Sequence, residues 1–121
     1  MSGAQAMIAD WTTGTEAIAY QTCGTCKALW YFRRGFCPSC GAVEPFNHIA
    51  SGEGVVHAIS VVTRAATPEA RAYVPYAIVM VDAKEGFRVM GHGDRELKIG
   101  DKVAVRFEKF IDRIVPYFAR V

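Results

Sequence analysis

The sequence predicts a mainly β protein in which a small cysteine-rich unit precedes a compact barrel. Two Cys-x-x-Cys pairs lie between positions 23 and 40, with ten residues between the pairs. After Gly54, five stretches of strand length follow one another, separated by polar or glycine-containing breaks. The connection between the third and fourth stretches is the most irregular, which is typical of an OB-type barrel. Together these observations indicate a rubredoxin-like zinc ribbon followed by a five-stranded OB-fold barrel.

The composition is that of a globular chain. Of the 121 residues, 51% are hydrophobic and 21% are charged, and the formal net charge is +2. A protein that binds nucleic acid through phosphates usually carries a larger basic excess, so the charge argues against that partner. The apolar runs are shorter than the roughly 20 residues of a membrane span, and the N-terminus lacks the features of a secretory signal. We therefore expect a cytoplasmic protein without a membrane partner, in which the cysteines stay reduced.

Local composition divides the chain into an N-terminal helix or tail, the ribbon and the barrel, over residues 1–16, 17–46 and 47–121. In the first segment, Met7, Ile8 and Trp11 are spaced as on one face of a short helix, which Gly14 would end. A partly ordered tail is the alternative for this segment. The barrel segment is expected to begin with a linker over residues 47–54.

The four cysteines have the pattern of a tetrathiolate metal site. Zinc binds four thiolates in a tetrahedron, at about 2.3 Å each. Two residues between the ligands of each pair bring both sulfurs to one side of a tight turn, where backbone amides can donate hydrogen bonds to them. Gly41, after the second pair, permits the positive φ of such a turn, whereas Lys27 takes the matching place after the first. The predicted ligands are Cys23, Cys26, Cys37 and Cys40.

Other chemistry is compatible with the same four cysteines. Disulfides would require an oxidising compartment, and a redox dithiol needs only one Cys-x-x-Cys pair, usually in a βαβ setting. Iron accepts the same ligands in rubredoxin-like sites. We favour zinc. Because cysteine would fill all four coordination positions, we expect the metal to be structural and not catalytic.

The barrel strands are predicted from stretches that are rich in Val and Ile or that alternate apolar and polar residues. The second stretch is the most apolar, and Lys84-Glu85-Gly86 directly after it predicts a tight turn into the third. A polar break at 67–71 follows the first stretch, and a loop at 93–101 follows the third. The five predicted strands cover residues 54–64, 76–83, 87–92, 102–108 and 114–121.

No catalytic residue is predicted, because the sequence has no nucleophile, phosphate-binding or metalloprotease motif. Residues 30–34 instead predict a contact with a partner. Three adjacent aromatic residues on one hairpin cannot all face a small core, and aromatic residues and Arg are enriched at interfaces. Packing of these rings between ribbon and barrel is the alternative. The predicted contact residues are Trp30, Tyr31, Phe32, Arg33 and Arg34.

With its two units in this order, the chain resembles the zinc-ribbon plus OB-fold proteins grouped as domain of unknown function 35. The resemblance covers roughly residues 17–121 and depends on the order of several short motifs. It departs from the family pattern at Lys27, where glycine is usual, and before Cys37, where proline is frequent. The motifs are Cys23-Gly-Thr-Cys26, Trp30-Tyr31-Phe32-Arg33, Phe36-Cys37-Pro-Ser-Cys40-Gly41, Ser51-Gly52-Glu53-Gly54-Val55-Val56, Ser60-Val61-Val62-Thr63-Arg64, Pro75-Tyr76-Ala77-Ile78-Val79 and Leu97-Lys98-Ile99-Gly100-Asp101-Lys102-Val103.

The resemblance implies a small accessory subunit whose partner supplies the catalytic residues. Members of this family accompany thiolase-like condensing enzymes, or hydratase-like or aldolase-like enzymes. We therefore expect a non-catalytic subunit of an acyl-CoA-processing complex, with acyl-CoA only as the substrate of that complex. A thiolase or related acyltransferase is the first candidate partner, and a hydratase-like or aldolase-like enzyme is the second. The alternatives are a nucleic-acid-binding module and an independent acyl-CoA-binding protein.

Overall fold

The structure, a computed structural model, describes residues 9–121. A three-stranded ribbon sheet precedes a closed five-stranded barrel, which confirms the predicted mainly β architecture. The strands are β1 (Ala19–Thr22), β2 (Leu29–Trp30), β3 (Phe46–Ile49), β4 (Glu53–Val62), β5 (Tyr76–Ala83), β6 (Arg88–Gly93), β7 (Lys102–Phe110) and β8 (Arg113–Arg120). A 3-10 turn (Trp11–Thr13) and a short helix, α1 (Pro68–Arg71), are the other elements of this part of the chain. Neither is long and apolar enough to cross a membrane.

Where the sequence predicts an N-terminal helix, the described residues form a single 3-10 turn. Asp10 caps this turn, because its carboxylate accepts a hydrogen bond from the Thr12 amide at 3.0 Å. Gly14 ends it with a φ of 93°, in the left-handed region that favours glycine. The other apolar positions of the predicted helix, Met7 and Ile8, lie outside the described residues.

Strand β1 is the centre of the ribbon sheet and is antiparallel to β2 on one side and β3 on the other. Gln21 therefore lies opposite both Trp30 and Asn47. The sequence predicts a linker from residue 47, but β3 pairs with β1 along its whole length. The polar residues of β3 conceal this strand in the sequence, because backbone pairing with β1 stabilises it without apolar alternation. The division of the chain after residue 46 remains a prediction.

The barrel strands have the order β4-β5-β6-β8-β7, and β7 returns to β4. Strands β4, β5 and β6 form an antiparallel meander, and the predicted turn at 84–86 joins the last two. Strand β8 runs parallel to β6, with His92 opposite Tyr117, and antiparallel to β7. This order, closed through one parallel pair, is that of an OB barrel.

Two barrel connections are longer than the hairpin turns. The predicted polar break after β4 contains α1, whose cap is Thr67; its hydroxyl accepts a hydrogen bond from the Ala70 amide at 3.3 Å. Pro68 begins this helix, where its missing amide costs nothing. The predicted loop between β6 and β7 has no helix and places Leu97 in the core.

The barrel interior is filled by alternate residues of its strands. Val79 and Val81 on β5 are fully buried, and Phe118 on β8 is nearly so. Gly91 is required where β6 passes β8. A Cβ at that position would lie 2.9 Å from the Phe118 ring and 2.9 Å from the carbonyl oxygen of Pro116. The parallel pair that closes the barrel therefore depends on a residue without a side chain.

The ribbon packs on the barrel through stacked rings. Phe87, buried at the turn between β5 and β6, stacks with Tyr20 at 5.1 Å and with Tyr31 at 5.4 Å between ring centroids. Ile18 belongs to the same buried cluster as the barrel core, and its carbonyl accepts a hydrogen bond from the Ala50 amide at 2.8 Å. The two units therefore share one core at their junction.

Candidate functional site

The four cysteines come together at the end of the ribbon, although ten residues separate the two pairs. All four sulfurs lie within 4.8 Å of one another. The Sγ atoms of Cys23 and Cys40 are 3.6 Å apart, as are those of Cys26 and Cys37. A tetrahedron with metal–sulfur bonds of about 2.3 Å has sulfurs about 3.8 Å apart. The cluster therefore has the size and donor set of a tetrathiolate metal site and can bind a metal ion.

Each Cys-x-x-Cys pair forms a knuckle with the same hydrogen bonds. The first sulfur of each pair accepts two backbone N–H groups, from the residue two positions later and from the second cysteine. These N–H to Sγ distances are 3.3 and 3.4 Å in both knuckles, from Thr25 and Cys26 to Cys23 and from Ser39 and Cys40 to Cys37. Such donors stabilise thiolates, so both turns are preorganised for a metal ion.

Lys27 does not prevent the first knuckle from closing. It has a φ of 66°, close to the 83° of Gly41 at the matching place in the second knuckle. Its amide donates to the Cys23 carbonyl at 3.1 Å, and its ammonium group donates to the Gly24 carbonyl at 3.3 Å. The left-handed conformation costs a residue with a Cβ about 1–2 kcal/mol. The fold imposes this conformation on Lys27 because the first knuckle follows the same backbone path as the second, where Gly41 adopts it.

The thiol pKa values reflect these hydrogen bonds. The amides of Cys26 and Thr25 lower the pKa of Cys23 to about 6. Burial opposes ionisation of Cys37, but the amides of Cys40 and Ser39 outweigh burial and hold its pKa below the ordinary value. The Ala42 amide favours the thiolate of Cys40. However, hydrogen bonds with neighbouring thiols, chiefly Cys26, raise its pKa to about 12. The cluster thus shares protons among its sulfurs, and a bound metal ion would displace them.

The predicted contact segment divides between internal and external roles. The indole N–H of Trp30 donates to the Gln21 side chain at 2.7 Å, so this ring is held against the ribbon sheet. Tyr31 packs against the barrel, and its hydroxyl accepts a hydrogen bond from the Trp11 indole at 2.9 Å. Burial raises the pKa of Tyr31. Phe32 extends into solvent, with 75% of its surface exposed.

The two arginines of this segment are both exposed. The guanidinium of Arg33 lies 3.7 Å from the carboxylate of Asp10. Arg34 is fixed through its backbone, because its amide donates to Gln21 at 2.7 Å and its carbonyl accepts from Gln21 at 3.0 Å. One ring of the segment, Phe32, faces outward, whereas Tyr31 packs between ribbon and barrel, which is the alternative that the sequence left open. A partner contact by these five residues remains a prediction.

Gln21 is the residue of this site that the sequence did not indicate. Its side chain is 2% exposed, and both ends of its carboxamide are fully used. The oxygen accepts from the Trp30 indole and the Arg34 amide, and the nitrogen donates to the Arg34 carbonyl and the Asn47 side chain. These partners come from two segments distant from Gln21 along the chain, residues 30–34 and strand β3, so no local pattern identifies the residue. Gln21 holds residues 30–34 against the sheet.

Large apolar side chains are exposed around both knuckles. We define the ribbon apolar surface as Phe32, Phe36, Val43 and Phe46, which are all more than half exposed. Phe36 pairs with Val43 in an isolated bridge beside the second knuckle. Phe46 packs over Gly24 in the first, where a Cβ would lie 2.7 Å from the phenyl ring. The ribbon thus exposes large apolar groups beside the cysteine cluster, in which Cys23 and Cys37 are buried and Cys26 and Cys40 are exposed.

A cleft of about 620 Å³ lies between the 3-10 turn, the ribbon and the outer face of the barrel. Its barrel wall includes Ile78, Met80, Met90 and Arg88 on β5 and β6, and the opposite wall includes Trp11, Tyr31 and Phe32. Strands 2 and 3 of an OB barrel, here β5 and β6, form the face on which this fold commonly binds ligands. The sequence does not reveal the cleft, because its walls meet only when the ribbon docks.

His92 also lines this cleft. Its ring is stacked with Tyr76 at 5.1 Å and meets the edge of Phe110 at 4.4 Å. Burial lowers the pKa of His92, and the charge of Glu108 opposes this shift only in part. The imidazole is therefore neutral at pH 7, with one nitrogen able to donate a hydrogen bond and the other able to accept one.

Comparison with known proteins identifies the barrel as a unit and relates the chain to DUF35 proteins. Residues 48–108 match the family model for the C-terminal OB-fold domain of ChsH2. A DUF35 domain-containing scaffold protein of Methanothermobacter thermautotrophicus is 31% identical over an alignment of 94 residues, and the match covers 72% of this chain and 68% of the relative.

Two solved structures share the fold. A structure described as an Ltp2-ChsH2(DUF35) aldolase has a TM-score of 0.73 at 24% identity, over 86% of this chain and 84% of the other. A DUF35 protein of unknown function from Sulfolobus solfataricus has a TM-score of 0.58 at 14% identity, over 87% and 76%. At these identities, the structures support the fold alone. The family-model match and the scaffold relative, together with the ribbon and barrel described above, show that this chain belongs to the DUF35 family.

Proposed function

We propose that this chain is a non-catalytic, zinc-binding accessory subunit of an acyl-CoA-processing complex. In this role it binds a larger catalytic subunit and supports the acyl-CoA site of the complex. The observation that carries the proposal is the exposure of the ribbon apolar surface on a chain whose relative is a scaffold protein. Exposed apolar side chains of this size, grouped on a small unit, are typical of a surface that another protein covers.

Phe32 is the strongest anchor candidate on this surface. It is 75% exposed, whereas its neighbours Trp30 and Tyr31 are held by Gln21 and by the barrel. The backbone around it is fixed through the Gln21 hydrogen bonds to Arg34, so little ordering entropy would be lost on binding. A buried aromatic anchor contributes about 2 kcal/mol or more to an interface.

Zinc is the metal that the cysteine cluster suits best. Four thiolates in a compact tetrahedral arrangement are the usual ligands of structural zinc. Because protein sulfurs would occupy every coordination position, the ion would have no open site for substrate. Its proposed role is to hold the two knuckles, and with them the ribbon apolar surface, in one conformation.

The resemblance to the family favours a thiolase or related acyltransferase as the catalytic subunit. An aldolase-like subunit is the second candidate, and the description of one similar structure as an aldolase containing a DUF35 component favours this kind of partner. A hydratase-like subunit is a second candidate of equal rank. In each case the partner would supply the catalytic residues and this chain the supporting surface.

The outer face of β5 and β6 favours this proposal over the nucleic-acid alternative. Where an OB barrel that binds single strands would present cations and stacking rings, this face carries Ile78, Met80 and Met90. Arg88 on the same face is paired with Asp82 at 2.7 Å. A face of this composition offers few charges to a phosphate backbone.

Copurification from the source cells under native conditions tests the proposal. We expect the tagged chain to retain a catalytic subunit with thiolase, acyltransferase, hydratase or aldolase activity on acyl-CoA, together with one zinc ion per chain. Retention of nucleic acid and no such enzyme would support the alternative. Robust turnover of acyl-CoA by the purified chain alone, with partner contamination excluded by mass spectrometry, would contradict the accessory role.

Replacement of the anchor then tests the surface. We expect Phe32→Ala to weaken association with the catalytic subunit about thirtyfold, the equivalent of about 2 kcal/mol. Ile99→Ala is the matched control, because Ile99 is 71% exposed but lies on the barrel loop between β6 and β7. Association is measured by surface plasmon resonance, and zinc content must stay normal in both variants. Equal affinities for Phe32→Ala and Ile99→Ala would exclude Phe32 as an anchor.

A further inference from the structure

We propose that the cleft between the ribbon and the barrel binds a neutral, apolar molecule or group that carries one hydrogen-bonding atom at the His92 end. This inference does not depend on the proposed function. The cleft has a volume of about 620 Å³, within the roughly 300–1,000 Å³ of small-molecule sites. Its shape, walls and charges together define the class of ligand.

The walls are apolar and adaptable. Met80 and Met90 lie opposite each other in the β5–β6 pairing, and both face the cleft with Ile78. Methionine side chains are flexible and polarisable, so they adjust to apolar ligands of different shape. A polar ligand would lose its hydration against this wall without gaining hydrogen bonds.

The opposite wall is preorganised. The Trp11 indole donates to the Tyr31 hydroxyl at 2.9 Å, and Tyr31 is stacked on Phe87 with an interplanar angle of 6°. Tyr31 is therefore fixed by its stacking on Phe87, and Trp11 is fixed by its hydrogen bond to Tyr31. A cleft that is formed before the ligand arrives loses less entropy on binding. The cleft is thus a built site and not a gap between two loosely apposed units.

The charges at the rim are balanced. Arg33 lies 3.7 Å from the Asp10 carboxylate at one side, and Arg88 lies 2.7 Å from Asp82 at the other. Each guanidinium therefore has a carboxylate beside it, although Asp82 lies next to the cleft lining and not within it, so both arginines already have a counter-charge before an ionic head group arrives. Transfer of an unpaired carboxylate or ammonium group into such surroundings is strongly unfavourable. This balance selects a neutral ligand.

His92 supplies the polar contact. Other polar side chains in the cleft have partners already, since Gln21 donates to Asn47 at 3.0 Å and the Thr12 hydroxyl donates to Asp10 at 2.5 Å. The His92 ring is instead fixed by aromatic contacts with Tyr76 and Phe110. A neutral imidazole held in this way can bond a ligand hydroxyl or carbonyl.

The test uses the full-length, zinc-loaded chain with Nile red as a fluorescent probe and three ten-carbon competitors at pH 8. We expect 1-decanol to displace Nile red and ionised decanoate to compete at least tenfold more weakly. Decanoyl-CoA distinguishes two sources of the same chemistry. Competition by decanoyl-CoA as strong as that of decanol assigns the cleft to the acyl part of a thioester, and competition by decanol alone assigns it to a free neutral lipid. Decanoate as strong as decanol would overturn the proposal.

Two variants locate the binding. Met90→Asp is expected to weaken decanol binding at least tenfold, whereas Ile99→Asp, which changes an exposed residue outside the cleft, leaves it unchanged. His92→Phe should weaken decanol binding about fivefold, the equivalent of one hydrogen bond of about 1 kcal/mol. If Met90→Asp fails to fold, as judged by circular dichroism and zinc content, Met90→Gln replaces it.

Three results would contradict this assignment. Equal decanol affinities for the Met90 variant and the Ile99 variant would place the binding elsewhere. If decanol binds only after residues 1–8 have been removed, the N-terminus of the chain is the occupant of the cleft. If the Met90 substitution changes the sedimentation coefficient of the chain but not its affinity for decanol, the cleft is instead a contact between copies of the chain.

Discussion

In the barrel, the side chains that stabilise the fold are aliphatic or aromatic and lie inside it, with Val79, Val81 and Phe118 at the centre. In the ribbon, the cross-links are four thiols and the carboxamide of Gln21, while the large apolar side chains lie outside. Burial of apolar side chains can stabilise the barrel, whereas the ribbon buries too few of them to be stabilised in this way alone. The difference teaches that a small unit with little core of its own can expose an apolar surface where polar bonds and metal ligands supplement the core that it shares with its neighbour.

The substitution with the largest expected effect should unfold the ribbon and leave the barrel folded. Cys37→Ser removes one thiolate from the cluster, so we expect loss of bound zinc and unfolding of the ribbon, with the barrel strands retained. Hydrogen exchange measures this directly. The amides of β1 should exchange rapidly, while those of Val79 and Val81 stay protected. Ser39→Ala, in the same knuckle, is the control and should retain zinc. Equal loss of protection in both units would show that the barrel also depends on the metal.

The second prediction acts on the barrel. Gly91→Ala places a Cβ 2.9 Å from the Phe118 ring and from the Pro116 carbonyl oxygen, and the backbone atom cannot move aside without opening the parallel pair. We expect the free energy of unfolding to fall by about 3 kcal/mol. Gly35→Ala is the matched control in the ribbon, because nothing lies within 4 Å of its Cβ. Urea denaturation measures both variants, and similar stabilities would contradict the close approach of β6 and β8.

The third prediction acts on the polar cross-link of the ribbon. Gln21→Leu leaves the Trp30 indole and the backbone of Arg34 without their hydrogen-bond partners. Fully buried groups without a partner cost about 1–3 kcal/mol; because these groups are only partly buried, we expect a loss at the lower end, about 1 kcal/mol. Zinc content should stay normal, and affinity for the catalytic subunit should fall because residues 30–34 lose their fixed conformation. Unchanged exchange rates at Trp30 and Arg34 would show that the carboxamide is dispensable.

The smallest expected effect depends on pH. Burial holds the pKa of His92 below its ordinary value of 6.5, so protonation favours the unfolded chain. Stability is therefore fully present above pH 6.5 and falls as the pH drops below it toward the lower folded pKa. We expect thermal denaturation at pH 7.5 and 6.0 to show a small decrease for the native chain. His92→Phe should reduce that decrease, and an identical pH dependence in the two proteins would contradict a buried neutral imidazole.

Local patterns were sufficient for much of the fold. Strand β5 has the predicted bounds, because an apolar run between a polar break and a tight turn can form little else. The ligand spacing also identified the cysteine cluster, since two residues between thiols specify a knuckle whatever surrounds it. The three-residue turn at Trp11–Thr13 and strand β3 departed from expectation. Both are short. Asp10 and Gly14 cap the turn locally, whereas β3 is stabilised by pairing with β1, which is distant in sequence.

The sequence by itself determined which segments form the barrel strands, which thiols form the cluster and that some aromatic residues would remain outside a small core. Tertiary structure alone decided that Tyr31 is covered and Phe32 exposed, that Gln21 joins three segments, and that a cleft forms against β5 and β6. The physical reason is the separation along the chain of the residues on which each property depends. Periodicity and ligand spacing depend on neighbours along the chain, whereas burial and hydrogen-bond satisfaction depend on what long-range pairing brings to each side chain.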